Sequence, residues 1–236
     1  LPSFLKDKPK LYNRSALKEL IENPYPFPDI ARYISDMEDR YTIETINSRM
    51  YDAWKSAGAA GKPLTFIARD AASDKRTEYR LIAPNAVLTP DHQLTFSGRP
   101  GVGLRLDELN ADGKLQSNYT AESVDFLVGQ DQFADNATTA KLQLNGATRR
   151  DVIRNIAAAP AGTVMISNLQ LPPAIEDVTI PPPPELVADA RASGSAPLIT
   201  LADQAQGQYN RLLNTIQSEF NSRGSFSLSL LFLVLL

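Results

Sequence analysis

The chain of 236 residues contains no cysteine. That excludes a disulfide framework, a thiol nucleophile and a thiolate metal site. It has a single histidine, His92, in the turn Pro90-Asp91-His92-Gln93. A lone turn histidine beside an aspartate can act as a base, but no second histidine, cysteine or nucleophile motif accompanies it, and it is read as a surface residue. Neither sign of charge dominates: 24 Lys and Arg stand against 27 Asp and Glu, a net charge of −3. Such a balance leaves no electrostatic footprint for nucleic acid, so no nucleic-acid partner is expected. Gly101-Val102-Gly103 lacks the third glycine and the following helix of a dinucleotide site and is a hairpin feature. Gly129-Gln130-Asp131-Gln132-Phe133-Ala134-Asp135-Asn136 lacks the alternating oxygen ligands of a calcium loop. Glu38, Asp39 and Glu44 are read as a solvated helix face. No catalytic set, metal site or cofactor is expected, and the chain reads as a binding or structural module rather than an enzyme.

What is present is an ordinary globular composition, 43% apolar and 22% charged, enough for a real core. Residues 77–146 carry five segments in which apolar and polar side chains alternate. They are Tyr79-Arg80-Leu81-Ile82-Ala83, Leu94-Thr95-Phe96, Val102-Gly103-Leu104-Arg105-Leu106, Val124-Asp125-Phe126-Leu127-Val128 and Ala140-Lys141-Leu142-Gln143-Leu144. Successive side chains of a strand point to opposite faces, so each segment gathers its apolar set on one face and turns Arg80, Thr95, Arg105, Asp125, Lys141 or Gln143 to the other. Turn formers lie between them, at Pro84-Asn85, Pro90-Asp91, residues 98–101, Asp112-Gly113 and Asn136. Leu64-Thr65-Phe66-Ile67-Ala68-Arg69 supplies a first strand. Short strands at this spacing without helices between them predict an antiparallel meander, sandwich, jellyroll or open barrel.

Helices flank that region. Leu17, Leu20 and Ile21 form a stripe capped by Asn13 or Ser15, and Pro24-Tyr25-Pro26-Phe27-Pro28 reads as a rigid extended connector. A second helix covers residues 29–41 and can run to Lys55, although Thr42-Ile43 and Thr45-Ile46 also suit a strand. After the β region, residues 149–159 read as a short helix with Val152, Ile153 and Ile156 inward, and Val164-Met165-Ile166-Ser167-Asn168-Leu169 as one more strand. Residues 171–184, with Pro172, Pro173 and Pro181 to Pro184, form a stiff strap. Residues 185–192 and 201–223 are helical, the second with Leu212, Leu213, Ile216 and Phe220 on one side. The fold class expected is therefore mainly β within α+β, divided as 1–61, 62–170, 171–200 and 201–236.

Residues 225–236 carry no charge and end on Leu230-Leu231-Phe232-Leu233-Val234-Leu235-Leu236. A membrane span needs about 20 apolar residues. The run is read as a truncated membrane helix, and the chain as a piece of a longer protein. The other reading is a buried terminal strand or helix.

Two stretches carry a resemblance. Tyr79 to Leu88, Leu94-Thr95-Phe96-Ser97-Gly98 and Tyr119-Thr120-Ala121-Glu122-Ser123-Val124 resemble the hairpin units of the β-jellyroll used in lipopolysaccharide transport. Glu219-Phe220-Asn221-Ser222-Arg223-Gly224-Ser225, and Pro184-Glu185-Leu186-Val187 before it, are similar to the segment where the periplasmic jellyroll of the lipopolysaccharide export permeases returns to the membrane. The resemblance covers residues 66–236; residues 1–60 depart from the family's pattern. It implies a bacterial inner-membrane protein, mostly periplasmic in this region, that holds lipid acyl chains in an apolar groove. It also implies strand addition to other jellyroll transport proteins and a separate ATPase subunit. The groove candidates are the inward set: Phe66, Tyr79, Leu81, Leu94, Phe96, Val102, Leu104, Leu106, Val124, Phe126, Leu142 and Leu144. The same residues can equally form the closed core of a structural or assembly protein of the envelope or of a virion, and both readings stay open on sequence.

Overall fold

The computed structural model describes residues 14–69, 76–99, 102–130, 138–154 and 156–234, and of residues 223–234 the backbone alone. It divides into two compact units, Leu1–Tyr41 with Ile180–Leu236, and Thr42–Thr179. The fold is α+β and mainly β.

The first unit is helical. Helix α1 (Arg14–Glu22) is followed by α2 (Pro28–Ala59), whose N-terminal part belongs here. The segment between them is not an extended connector. It is a tight turn in which the Phe27 N–H donates to Pro24 O at 3.0 Å, and Phe27 O accepts from Ile30 and Ala31. Phe27 is buried with Ile30, Ile34 and Met37. They pack with Leu186 and Ala190 of α4 (Pro183–Ala192) and Leu198, Ala202, Leu212 and Ile216 of α5 (Ala196–Val234). Prolines in the first turn of α4 fit a position whose N–H has no helical partner in any case. Helix α5 continues through Gly224, and the Phe220 side chain lies outside the described residues. Among the described residues no helix is long and apolar enough to cross a membrane.

The second unit is built on nine strands: β1 (Leu64–Arg69), β2 (Arg76–Ile82), β3 (Asn85–Leu88), β4 (Leu94–Ser97), β5 (Leu104–Leu109), β6 (Leu115–Ala121), β7 (Ser123–Gln130), β8 (Thr138–Asp151) and β9 (Ile156–Gln170). Every pairing is antiparallel. Strands β8, β6, β5, β2, β1 and β9 follow one another, and β9 pairs again with β8, so these six close into a barrel. From β8 the sheet also extends outward through β7 and β4 to β3. The two directions share one hairpin. Strands β6 and β7 pair with β8 at one common offset, Ser117 opposite Asp151 at one end and Gln130 opposite Thr138 at the other, with the ladder interrupted between Thr120 and Ser123. The break falls at Glu122 and Gly146, where Gly146 takes φ +61. On its other side β6 pairs β5, whereas β7 pairs β4.

The C-terminal part of α2 belongs to this unit. The helix runs on past the β-branched pairs because Ile46 and Met50 bury against the barrel residues, and burial outweighs a weak propensity. Its Arg49 guanidinium donates to the carbonyls of Ala174, Ile175 and Asp177, at 3.3, 3.3 and 2.8 Å, closing the short helix α3 (Pro173–Glu176) within the proline strap. Glu44 is not on a solvated face: it is buried, while Asp39 is exposed.

The expected helix over 149–159 is replaced by the β8–β9 hairpin. Asp151 Oδ1 accepts from the Arg154 N–H at 2.9 Å, and the Val152 N–H donates to Gln116 O at 2.9 Å, so the turn is tied to the sheet. Val152, Ile153 and Ile156 consequently point outward, Ile153 being 67% exposed. Apolar spacing in that stretch satisfies a helical stripe by chance; ladder pairing to β6 and β9 decides the structure.

Candidate functional site

The predicted inward set is almost wholly inside. Phe66, Leu81, Leu94, Phe96, Leu104, Leu106, Val124, Phe126, Leu142 and Leu144 are all buried in one cluster, joined by Ile46, Met50, Ile166 and Leu169. Phe66 of β1 meets Phe126 of β7 with ring centroids 6.1 Å apart, so the barrel and the extended sheet share this core. Tyr79 is partly buried. Val102 is the exception, at 56% exposure. It precedes β5 and pairs only with Arg99, the two backbones exchanging bonds of 2.9 Å that close a tight turn. The alternation that places Leu104 and Leu106 inside therefore does not extend back to it. On the opposite face two of the expected polar residues bond to one another, Thr95 Oγ1 donating to Asp125 Oδ1 at 2.8 Å, and Asn145 Nδ2 donates to Asp125 Oδ2 at 2.9 Å.

One end of the barrel carries a polar network that alternation alone did not reveal. Tyr79 lies opposite Glu108, Glu108 opposite Ser117, and Tyr119 opposite both Leu106 and Arg149. Directly opposed residues share a face, so these polar side chains stand on the same face as Leu81 and Leu106, with Glu108 largely covered and Arg149 half exposed at the rim. The Tyr119 hydroxyl donates to Glu108 Oε2 at 3.2 Å, and Arg149 Nη2 donates to Ser117 Oγ at 3.1 Å. The Arg149 guanidinium also sits 5.5 Å from the centre of the Tyr119 ring and 3.8 Å from the Glu108 carboxylate. Burial pushes the Tyr79 phenol up to about 12, with the Glu108 charge adding to the effect and Arg149 opposing it. Tyr119 is raised too, first by burial and then by the Glu108 charge, with Arg149 opposing and its hydrogen bond to Glu108 adding to the effect.

A pH prediction follows from these two phenols. A phenol whose folded pKa lies above its unfolded value of 10 is neutral in both states below pH 10, so its contribution to stability is fully present there. As pH climbs toward 12 the unfolded chain releases this proton and the folded chain does not, so stability falls. Denaturant titrations at stepped pH are expected to show stability dropping above pH 10, and less steeply in Tyr79→Phe. An unchanged slope in that variant sinks the assignment.

His92 sits at φ +55 in the β3–β4 turn. Its carbonyl accepts from Asn47 Nδ2 at 2.7 Å, and its Nδ1 lies 2.8 Å from Ser48 Oγ. Ser48 Oγ also lies within hydrogen-bond distance of Glu44 O, at 2.9 Å. The pair clamps the turn to α2.

A third feature is an open cleft of about 570 Å³ lined by the end of α2 and by residues around Leu64, Leu81 to Pro84 and Arg99. The Trp54 indole N–H donates to Ala83 O at 3.0 Å, and the Trp54 ring stacks on Tyr51 with centroids 5.7 Å apart. Nothing in the alternation pattern pointed to this cleft, because its walls come from segments far apart in sequence. Among the described residues no group of three or more His, Cys, Asp or Glu side chains is placed to hold a metal ion.

These features define an α+β, mainly β protein whose antiparallel barrel encloses a cluster of buried apolar residues. The chain matches no protein-family model and no curated protein.

Proposed function

We infer that the chain works by binding and assembly, as a structural module of an envelope or a virion, with the filled barrel as its rigid core and the outer edge of β9 as its docking strand. One observation carries this reading. Strand β9 is 15 residues long without a charged side chain, and pairs with β1 only at Leu169 and Gln170. Among the described residues no strand covers the rest of that edge. Proteins ordinarily protect such an edge with charge, proline or bulges. Here Pro160 and Gly162 (φ +65) blunt one end and Asn168 (φ +58) the other, leaving Thr163 to Ser167 open between them. Thr163 and Met165 are exposed, so charge can be introduced there without entering the core. A second copy of this chain is the simplest strand to add. Sedimentation over a concentration series is expected to show association that the double variant Thr163→Lys/Met165→Lys loses. A wild type that stays monomeric throughout, or a variant that associates equally, defeats the proposal.

Lipid export remains the second reading, on a separate observation: the barrel seam between β1 and β9 is held by two residue pairs, Ala68 with Leu169 and Ile67 with Gln170. Parting that seam would admit an acyl chain to the buried cluster, where each CH₂ brought out of water contributes about 0.8 kcal/mol. A photoreactive residue at Phe96 or Phe126, with Arg105 and Lys141 as control positions, separates the two readings. Labelling by a lipopolysaccharide probe at the first pair alone favours export; no labelling at any position leaves assembly.

A further inference from the structure

The Trp54 cleft is lined by charge of one sign. Among the described residues its lining holds three cations, Lys55, Lys62 and Arg99, and no acidic residue, in a chain where acids outnumber bases. Among the described residues none of the three forms an ion pair with a carboxylate. Lys55 Nζ instead lies 4.1 Å from the centre of the Tyr51 ring. Lys55 and Lys62 complement the negative end of α2, which explains two of them without any ligand. That explanation does not reach Arg99, which arrives from the turn before β5, nor the absence of a carboxylate. The walls are apolar: Trp54 is held in place by its bond to Ala83, Leu64 lies beside it, and Ile82 presents 46% of its surface to solvent. At Gly58 and Gly61 an added Cβ would meet nothing within 4 Å, so the space beside the helix end is open.

We propose that this cleft binds an anionic amphiphile, a carboxylate or phosphate head held by Lys55, Lys62 and Arg99 with its apolar chain lying on Trp54, Leu64 and Ile82. The volume is in the range of small-molecule sites, roughly 300–1,000 Å³. The site is separate from the β9 edge and does not depend on the assembly reading. It also differs from a lipid held in the barrel, because it leaves the core closed.

Trp54 is the one tryptophan of the chain, so its emission reports this cleft directly. The full chain is titrated below the micellar range with dodecyl phosphate, dodecanoate, neutral dodecyl maltoside and inorganic phosphate. Saturable change with the two anionic amphiphiles is expected, with no response to the maltoside or to phosphate alone. Lys55→Glu/Lys62→Glu/Arg99→Glu should weaken the dodecyl phosphate Kd at least tenfold, as should raising the salt, while circular dichroism confirms the fold. If that variant does not fold, Arg99→Gln decides the matter, with a threefold or greater loss expected. The proposal is overturned by an absent response to the anionic probes, by an equal response to the maltoside, by saturation with inorganic phosphate alone, or by variants that bind as the wild type does.

Discussion

Replacing Phe126 by alanine is expected to lower the unfolding free energy by about 3–5 kcal/mol, the cost of removing a buried aromatic from a core that relaxes only in part. Phe126 is 2% exposed and its ring faces that of Phe66, itself 1% exposed. Because Phe66 stands on β1 and Phe126 on β7, the contact joins the closed barrel to the sheet that leaves it. The effect should therefore not be additive. Once Phe126→Ala has opened the contact, Phe66→Ala should cost less than it does alone, by roughly 0.5–3 kcal/mol of coupling. Urea denaturation of the four members of the cycle measures this. Phe126→Leu serves as the milder companion should the alanine variant not fold. Full additivity would mean that the two rings do not share a core.

The second large effect is expected at Gly146. A valine there is predicted to cost roughly 2–3 kcal/mol, because a β-branched residue is strained at positive φ. Its φ is +61, and an added Cβ would come within 2.9 Å of Glu122 Cγ and 2.8 Å of its Cδ. Glu122 is exposed and its side chain can swing aside, so the steric part is the smaller one. Adding Glu122→Ala to Gly146→Val should accordingly recover only a minor share of the loss. Full recovery would place the cost in the clash rather than in the backbone. The position matters because the long β6–β7 strand changes partner from β5 to β4 at this point while keeping its register on β8.

Much of the barrel was legible because alternation is a local property. In Leu104-Arg105-Leu106 and Val124-Asp125-Phe126 the period of two assigns each side chain to a face before any partner strand is known. The inward set was read correctly but for Val102, where the ladder ends at the Arg99–Val102 turn. Strand β6 carried no such signal. Its inward positions are Ser117 and Tyr119 and its outward ones Gln116 and Asn118, so the pattern is polar on both faces. The polar network on Glu108 and Arg149 was hidden for the same reason. Charged residues at inward positions read as surface until their neighbours are known.

The sequence by itself determined which residues are apolar on one face of the alternating strands, where prolines open α4, and that no thiol chemistry is available. Tertiary structure alone decided the rest. The stretch after Arg149 became a hairpin because β6 and β9 were there to pair with it. The apolar faces became one buried cluster because β9 returns to β8 and β1 and closes the ring. The Trp54 cleft exists because residues near 54, 62, 82 and 99 meet in space. Side-chain direction along one strand is set by neighbours in sequence, but closure, burial and concavity are set by which distant segments come together.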